Sequence, residues 1–334
     1  MKALVLEELK QPLRLQERPD PTPGPGEVVV SLHAASLNRR DYWITQGLYP
    51  GIRTPVVLGS DGAGVVSSAG EAVDQELAGR EVLIHPARDW GDDPAAQGDD
   101  FEVLGMPGDG TFATHLLTTP DRLHPRPAHL SMFETAALPI AALTAWRALF
   151  TQGRLQAGQK TLITGIGGGV ALFCVQFASA VGAEVFVTSS SEEKISRALE
   201  LGASAGVNYR DDGWARDFRA RHGQLDLIVD GAGGRDYASL LDIARPAGRI
   251  VNYGSTAGAP EGLDLFRLFW KQVRIIGSTL GTTSEMTAML EFISERELRP
   301  VIDSVHPLSE VNTALDCMKN QSQLGKLVLD CGGS

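Results

Sequence analysis

Gly165, Gly167, Gly168 and Gly169 fall in "TLITGIGGGVALFCVQFASAVGA", between an apolar run of strand type and a run of helical length. Glycines in that setting leave backbone N–H groups bare at a helix N-terminus. Together with the helix dipole, those groups bind phosphate. Spacing from Gly165 puts Val170 where a strict G-x-G-x-x-G motif has its third glycine, so the strand-turn-helix setting carries the dinucleotide reading. Small Ala171 lets the helix approach the sheet closely. The next strand, "EVFVTS", ends in Thr188, Ser189, Ser190 and Ser191, where an NAD site usually offers an acid to the ribose diol. No carboxylate at that tip repels a 2′-phosphate. Lys194 adds a cation in a first helical turn, a placement that a phosphate partner turns from unfavourable to favourable. Ser190 and Glu193 have capping-box spacing. The expected cofactor is NADP(H) rather than NAD(H).

A second glycine-rich stretch, "VVLGSDGAGVV", holds Gly59, Gly62 and Gly64 around Ser60 and Asp61. Strands flank it on both sides and no helix follows, so its glycines read as turn and close-packing residues. Asn38 in "SLNRRD" and Tyr49 in "GLYPG" are hydrogen-bonding side chains able to meet negative charge on a substrate oxygen. A tyrosine packing its ring in a turn and an asparagine bonding its own backbone are the structural alternatives. His85 in "LIHPA" reads as a strand-end polar residue.

Positioning these groups takes two kinds of architecture. From Lys2 to about Leu123 short apolar runs alternate with Gly and Pro, the pattern of a β-rich unit with tight turns. Residues 87–110 are acidic and aperiodic and read as a surface loop, with Asp92, Asp93, Asp99 and Asp100 lacking calcium-loop spacing. From about Ala128 helical segments alternate with apolar strands, and six such strands make a doubly wound parallel sheet. The final stretch restores short strands and is expected to rejoin the first domain. The expected domains are 1–127 with 276–334, and 128–275.

At 334 residues the chain exceeds one usual hydrophobic core. A net charge of −11 with scattered basic residues argues against a nucleic-acid partner. The longest apolar stretch, around Pro139, is too short to span a bilayer, and the expected location is the cytoplasm. Cys174, Cys317 and Cys331 have no C-x-x-C spacing and support neither a disulfide framework nor a zinc site.

In this order, "PGPGEVVVSLHAASLNRRDYWITQGLYP", "TPVVLGSDGAGVV", "GDGTFATHLL", "ALPIAALTAWRAL", the glycine loop and "GKLVL" resemble the medium-chain dehydrogenase/reductase superfamily along essentially the whole chain. The resemblance implies a GroES-like β-rich catalytic domain and a Rossmann domain. Zinc alcohol dehydrogenases of that family have a cysteine at the position of Asn38 and a His-Glu pair at Ser60 and Asp61. Their four-cysteine structural-zinc lobe falls in residues 87–110, which hold no cysteine. Asp61 with His85 supplies only two ligands, so no zinc is expected.

The chain therefore looks like the zinc-free quinone oxidoreductase and enone reductase branch, whose members often carry zinc-type alcohol dehydrogenase names. That branch implies pyrophosphate contacts at Gly168, Gly169, Val170 and Ala171, and 2′-phosphate contacts at Ser189, Ser190, Lys194 and Tyr209. It further implies nicotinamide or ribose contacts at Thr144, at Gly231, Ala232 and Gly233, and at Tyr253, Gly254 and Ser255. Lys326 is expected to close over the cofactor. Asn38, Trp43 and Tyr49 correspond to substrate-pocket positions, with Ser60 and Asp61 beside them. Tyr49 is the expected hydroxyl donor, since Trp43 stands where relatives commonly have tyrosine. A homodimer is implied as well. The alternatives are an alcohol dehydrogenase holding zinc through atypical ligands, and a non-catalytic NADPH-binding sensor or structural protein.

Overall fold

A computed structural model describes residues 1–332. The chain divides into two compact units, Met1–Ala141 with Thr282–Ser334, and Ala142–Gly281.

In the first unit, alternation of buried valines and leucines builds a seven-stranded sheet. In spatial order it runs Leu123–Pro125, Glu81–Ile84, Asp61–Ala69, Val28–Ser36, Lys326–Asp330 and Ile302–Pro307, with His115–Thr118 also paired to Val28–Ser36. A smaller sheet of Arg14–Glu17, Lys2–Leu6 and Val56–Val57 closes the core around Leu4, Leu6, Leu32, Leu58 and Phe112. Two pairings bring distant residues together. Asp61–Ala69 lies antiparallel to Val28–Ser36 with Ser36 opposite Asp61, and Lys326–Asp330 lies on its other side with Val328 opposite Ser36. Leu37 N–H donates to the Leu327 carbonyl (2.9 Å), so Lys326 arrives beside Leu37 and Asn38.

The glycines of "VVLGSDGAGVV" divide between two roles. Gly62 and Gly64 lie within the strand Asp61–Ala69. A Cβ at Gly64 would stand 2.0 Å from the Ser31 carbonyl oxygen, so this position needs glycine for strand contact and not for a turn.

The helices Met132–Ala136 and Pro139–Trp146 follow the composition change near Ala128, yet their early residues stay with the first unit. Ser36 Oγ donates to the Ala136 carbonyl (2.9 Å) and Ile140 N–H donates to Asp61 Oδ1 (2.8 Å). Polar anchors on the β-rich unit thus hold a segment whose own pattern is helical.

The second unit is a six-stranded, wholly parallel sheet. Its spatial order is Ala205–Asn208, Glu184–Ser189, Lys160–Ile163, Leu225–Asp230, Ala244–Asn252 and Arg274–Gly277. The order in the chain is therefore three, two, one, four, five, six. It reverses between Lys160–Ile163 and Leu225–Asp230, the switch point at which doubly wound sheets bind ligands. Among the described residues no helix is long and apolar enough to cross a membrane.

Candidate functional site

In the second unit, strand Lys160–Ile163 ends at the switch point and feeds Gly165, Gly167 and the helix Gly169–Ala180. Gly168 caps that helix without a side chain. Leu172 N–H is the first to bond back, to the Gly168 carbonyl (3.1 Å), so the amides of Gly169, Val170 and Ala171 have no helical partner. A Cβ at Gly168 would meet nothing within 4 Å, leaving the helix end bare and approachable. Ala171 is buried, as close helix-on-sheet packing requires.

Gly167, at φ +144°, would bring an added Cβ to 3.1 Å from Lys194 Nζ. The Lys194 side chain therefore lies against the glycine loop. The cap of its helix is Ser191, whose Oγ accepts the Lys194 N–H (3.3 Å); this corrects the Ser190–Glu193 capping reading by one residue. Ser190 precedes the cap, Ser189 is buried with Oγ accepting Ser191 N–H (3.2 Å), and Tyr209 N–H donates to the Ser189 carbonyl (3.2 Å). Thr144 is buried on the helix Pro139–Trp146.

Asp230, unmarked in the sequence reading, ties the loops around this crevice together. It is buried at the end of strand Leu225–Asp230. Its Oδ1 accepts the Thr164 hydroxyl (2.5 Å), and its Oδ2 accepts Gly233 N–H (2.9 Å) and Asn252 Nδ2 (2.9 Å). One carboxylate thus fixes the start of the glycine loop, the segment Gly231, Ala232 and Gly233, and the strand end before Tyr253, Gly254 and Ser255. A Cβ at Gly231 would lie 2.4 Å from the Tyr253 ring, which burial keeps as a neutral phenol with its pKa well above 10.

In the first unit, Asp61 and Lys326 form a buried ion pair (2.9 Å), with side chains 0% and 4% exposed. Asp61 Oδ2 also accepts Ser36 Oγ (3.0 Å) and Asn38 Nδ2 (2.8 Å), while Lys326 Nζ donates to the Leu37 carbonyl (2.8 Å) and Asn38 Oδ1 (2.8 Å). All three ammonium protons are used inside the protein. This corrects the expectation that Lys326 closes over a cofactor, because it is a buried counter-ion. It also removes Asp61 and Ser60, both fully buried, from the substrate-lining set. Ser60 Oγ donates to the Leu104 carbonyl (2.7 Å) and is a close partner of Arg40 Nη1. His85 Nδ1 bonds at Ala87 (3.0 Å), and its ring stands 6.0 Å from that of His124.

Asn38 is 8% exposed and its amide is oriented at both ends, Oδ1 by Lys326 and Nδ2 by Asp61. One Nδ2 proton remains to donate. The Arg40 guanidinium stands over the Tyr49 ring (5.0 Å to the centroid) and that of Arg39 over Trp43 (6.0 Å). Ser36 and Arg40 lie within the quoted "SLNRRD" but were not singled out there, because their partners Asp61, Ser60, Leu104 and Ala136 are distant in sequence.

Asp41 is the other buried acid here. Its Oδ2 accepts Asn38 N–H (2.7 Å), completing a capping box on the helix Arg39–Thr45, while Oδ1 has no partner. Burial raises its pKa from 3.8 to about 6, with Arg40 opposing the shift. A carboxyl whose folded pKa is raised favours folding while protonated, so this contribution is lost as pH rises from 3.8 to about 6. Relative to Asp41→Asn, the wild-type protein should lose stability with rising pH across that window. Urea midpoints at several pH values test this, and parallel curves for the two proteins would refute it.

Arg122, Cys174 and Cys331 are buried too, and among the described residues no group of three or more His, Cys, Asp or Glu side chains is arranged to hold a metal. A GroES-like β-rich unit together with a doubly wound parallel unit with a glycine loop at the head of its first helix is the architecture of a nicotinamide-dependent oxidoreductase. Residues 24–128 match the alcohol dehydrogenase GroES-like domain family and residues 169–295 the zinc-binding dehydrogenase family. The chain belongs to the medium-chain dehydrogenase/reductase superfamily. It is 35% identical to the zinc-type alcohol dehydrogenase-like protein YogA of Leptosphaeria maculans, over 96% of this chain and 94% of that protein. It is 28% identical to acryloyl-coenzyme A reductase of Metallosphaera sedula, over 98% of this chain and 99% of that one. A crystal structure of an NAD-dependent alcohol dehydrogenase superposes with a TM-score of 0.94 at 33% identity, covering 99% and 100% of the two chains.

Proposed function

We propose that this oxidoreductase uses NADPH to deliver hydride to the conjugated C=C of an enone, quinone or related carbonyl compound, without a metal. The observation that carries this reading is the Lys326 ammonium seated on Asp61. At the positions where zinc-using members hold ligands, this chain has a neutral amide, a hydroxyl and a carboxylate whose two oxygens accept four donors. Zinc takes thiolate, imidazole or open carboxylate lone pairs, so these residues do not fit it.

The glycine loop does fit a dinucleotide. The amides of Gly169, Val170 and Ala171 would hold the pyrophosphate, with Lys194, Ser190 and Tyr209 at the 2′-phosphate end. The bound nicotinamide supplies the hydride. Addition to the carbon remote from a conjugated carbonyl leaves negative charge on oxygen, which needs a hydrogen-bond donor rather than a metal. Tyr49 and the remaining Asn38 N–H are the donors this chain offers. The relative named acryloyl-coenzyme A reductase supports the class, since an acryloyl group is an alkene conjugated to a carbonyl.

The test is NADPH oxidation against 1,4-quinones, 2-alkenals and simple aldehydes, with and without chelator. Turnover of the conjugated acceptors, insensitive to chelator, is the expected result. Activity confined to simple aldehydes and abolished by chelator would favour the zinc alcohol dehydrogenase reading; binding of NADPH with no turnover would favour a sensor.

For the cofactor, Lys194→Ala should raise KM for NADPH roughly ten-fold or more, in line with loss of a charge-assisted contact, while KM for NADH stays nearly unchanged. Equal effects on the two cofactors would remove Lys194 from phosphate recognition.

The supporting feature for a homodimer is the open edge strand Arg274–Gly277 and the exposed apolar side chains near it in sequence: Ile275, Leu265, Phe266, Phe269 and Trp270, the last 72% exposed. An unpaired strand edge with contiguous apolar surface is a template for a second copy. Light scattering should give a dimer for the wild type and a monomer for Phe269→Asp/Trp270→Glu. A wild-type monomer at micromolar concentration would end this reading.

A further inference from the structure

The first unit contains a cavity of about 350 Å³ walled by Val57, Val103, Ala113 and Leu116. That volume lies at the small end of ligand sites. Four charged side chains line it: Arg88, Glu102, Asp109 and Arg122. Three of them are neutralised locally. Arg88 pairs closely with Glu102, and Asp109 accepts Arg18 Nη1 (3.1 Å) and Val57 N–H (2.8 Å).

Arg122 is different. It is 7% exposed, and its guanidinium donates only to neutral carbonyls, from Nε and Nη2 to His85 (3.3 and 3.1 Å) and from Nη2 to Pro86 (3.1 Å). Among the described residues no carboxylate lies within ion-pair distance of it, and Nη1 has no hydrogen-bond partner. A guanidinium that is mostly buried with no carboxylate in direct contact is costly; burial, with Arg88 adding to it, pulls the pKa of Arg122 down to about 10, while Asp121, Asp89 and Glu102 act against the shift from beyond ion-pair distance. An anion entering the cavity would relieve that cost through a charge-assisted bond to Nη1, while its apolar body met the valine and leucine walls.

We propose that this cavity is a binding site for a small organic anion, a carboxylate or phosphate monoester with an apolar body, held by Arg122.

Calorimetric titration of the full chain with benzoate, phenyl phosphate and neutral benzamide tests the assignment. One of the two anions should bind saturably with a Kd of about 1 mM or tighter, and benzamide at least ten-fold more weakly. The preferred anion identifies the headgroup. Arg122→Gln should weaken binding at least ten-fold. Leu117→Trp should do the same by filling the cavity at a strand residue already 39% exposed, and it decides the matter if Arg122→Gln does not fold. Absence of saturable binding to either anion, equal binding of benzamide, or affinity unchanged in Leu117→Trp would overturn the proposal.

Discussion

Replacing Lys326 with methionine should destabilise the protein by about 3–5 kcal/mol, the usual cost of removing one member of a buried pair. The loss does not measure the strength of the salt bridge. It arises because Asp61, with no exposed surface, loses the one ion-pair partner it has among the described residues. Asp61→Asn in the same background removes the second charge, and the double variant should recover at least half of the single variant's loss. The Asn side chain can still accept Ile140 N–H, and Ser36 Oγ can accept from that side chain's amide while the Ser36 proton stays on the Ala136 carbonyl. Salt should change none of this, since a buried pair is poorly screened.

Urea unfolding of wild type, both single variants and the double variant closes the cycle. A Lys326→Met cost below about 1 kcal/mol, or a double variant as unstable as the sum of the singles, would contradict the reading. On the proposed role of Asn38 as a hydrogen-bond donor, Lys326 is a positioning residue, because it fixes Asn38 Oδ1 while Asp61 takes one of the two Nδ2 protons. Its loss should therefore lower kcat while leaving KM for NADPH nearly unchanged, a split that a general loosening of the fold would not give.

The strand-turn-helix setting of the glycine loop was legible because its glycines and the change of period lie within one local segment. Strand and helix succession in the second unit was legible for the same reason of local period. The capping residue was off by one, since Ser190 and Ser191 are chemically identical and only the backbone entering the helix decides between them. Lys326 was misread because its partners, Leu37, Asn38 and Asp61, lie in distant parts of the chain, and only the antiparallel pairing of the last strand brings them together. A signal was nonetheless present. A lysine in the apolar run "GKLVL" and an aspartate in "VVLGSDGAGVV" are charges in strands that must be buried, and buried charges of opposite sign need one another. Asp230, at the end of the apolar run "DLIVD", carried the same signal.

Asp230→Ala is the variant expected to damage the cofactor half most. Three loops from separate strands meet at this carboxylate, through Thr164, Gly233 and Asn252, and each loses a charge-assisted hydrogen bond. Bonds of this kind contribute about 1.5–3 kcal/mol each and are not additive, so a stability loss of about 2–4 kcal/mol is expected. Released donors are the larger problem for binding. Gly233 N–H and the Asn252 amide would be free to draw in water or swing, and a phosphate loop binds tightly only while its amides are already aimed. NADPH should therefore bind at least ten-fold more weakly, about 1.4 kcal/mol, measured by quenching of intrinsic fluorescence. Asp230→Asn should restore part of both losses, because its oxygen can still accept Gly233 N–H while its amide faces the Thr164 hydroxyl, which can turn to accept. If Asp230→Ala were destabilised yet bound NADPH as tightly as wild type, the carboxylate would be a fold anchor with no share in shaping the cofactor crevice.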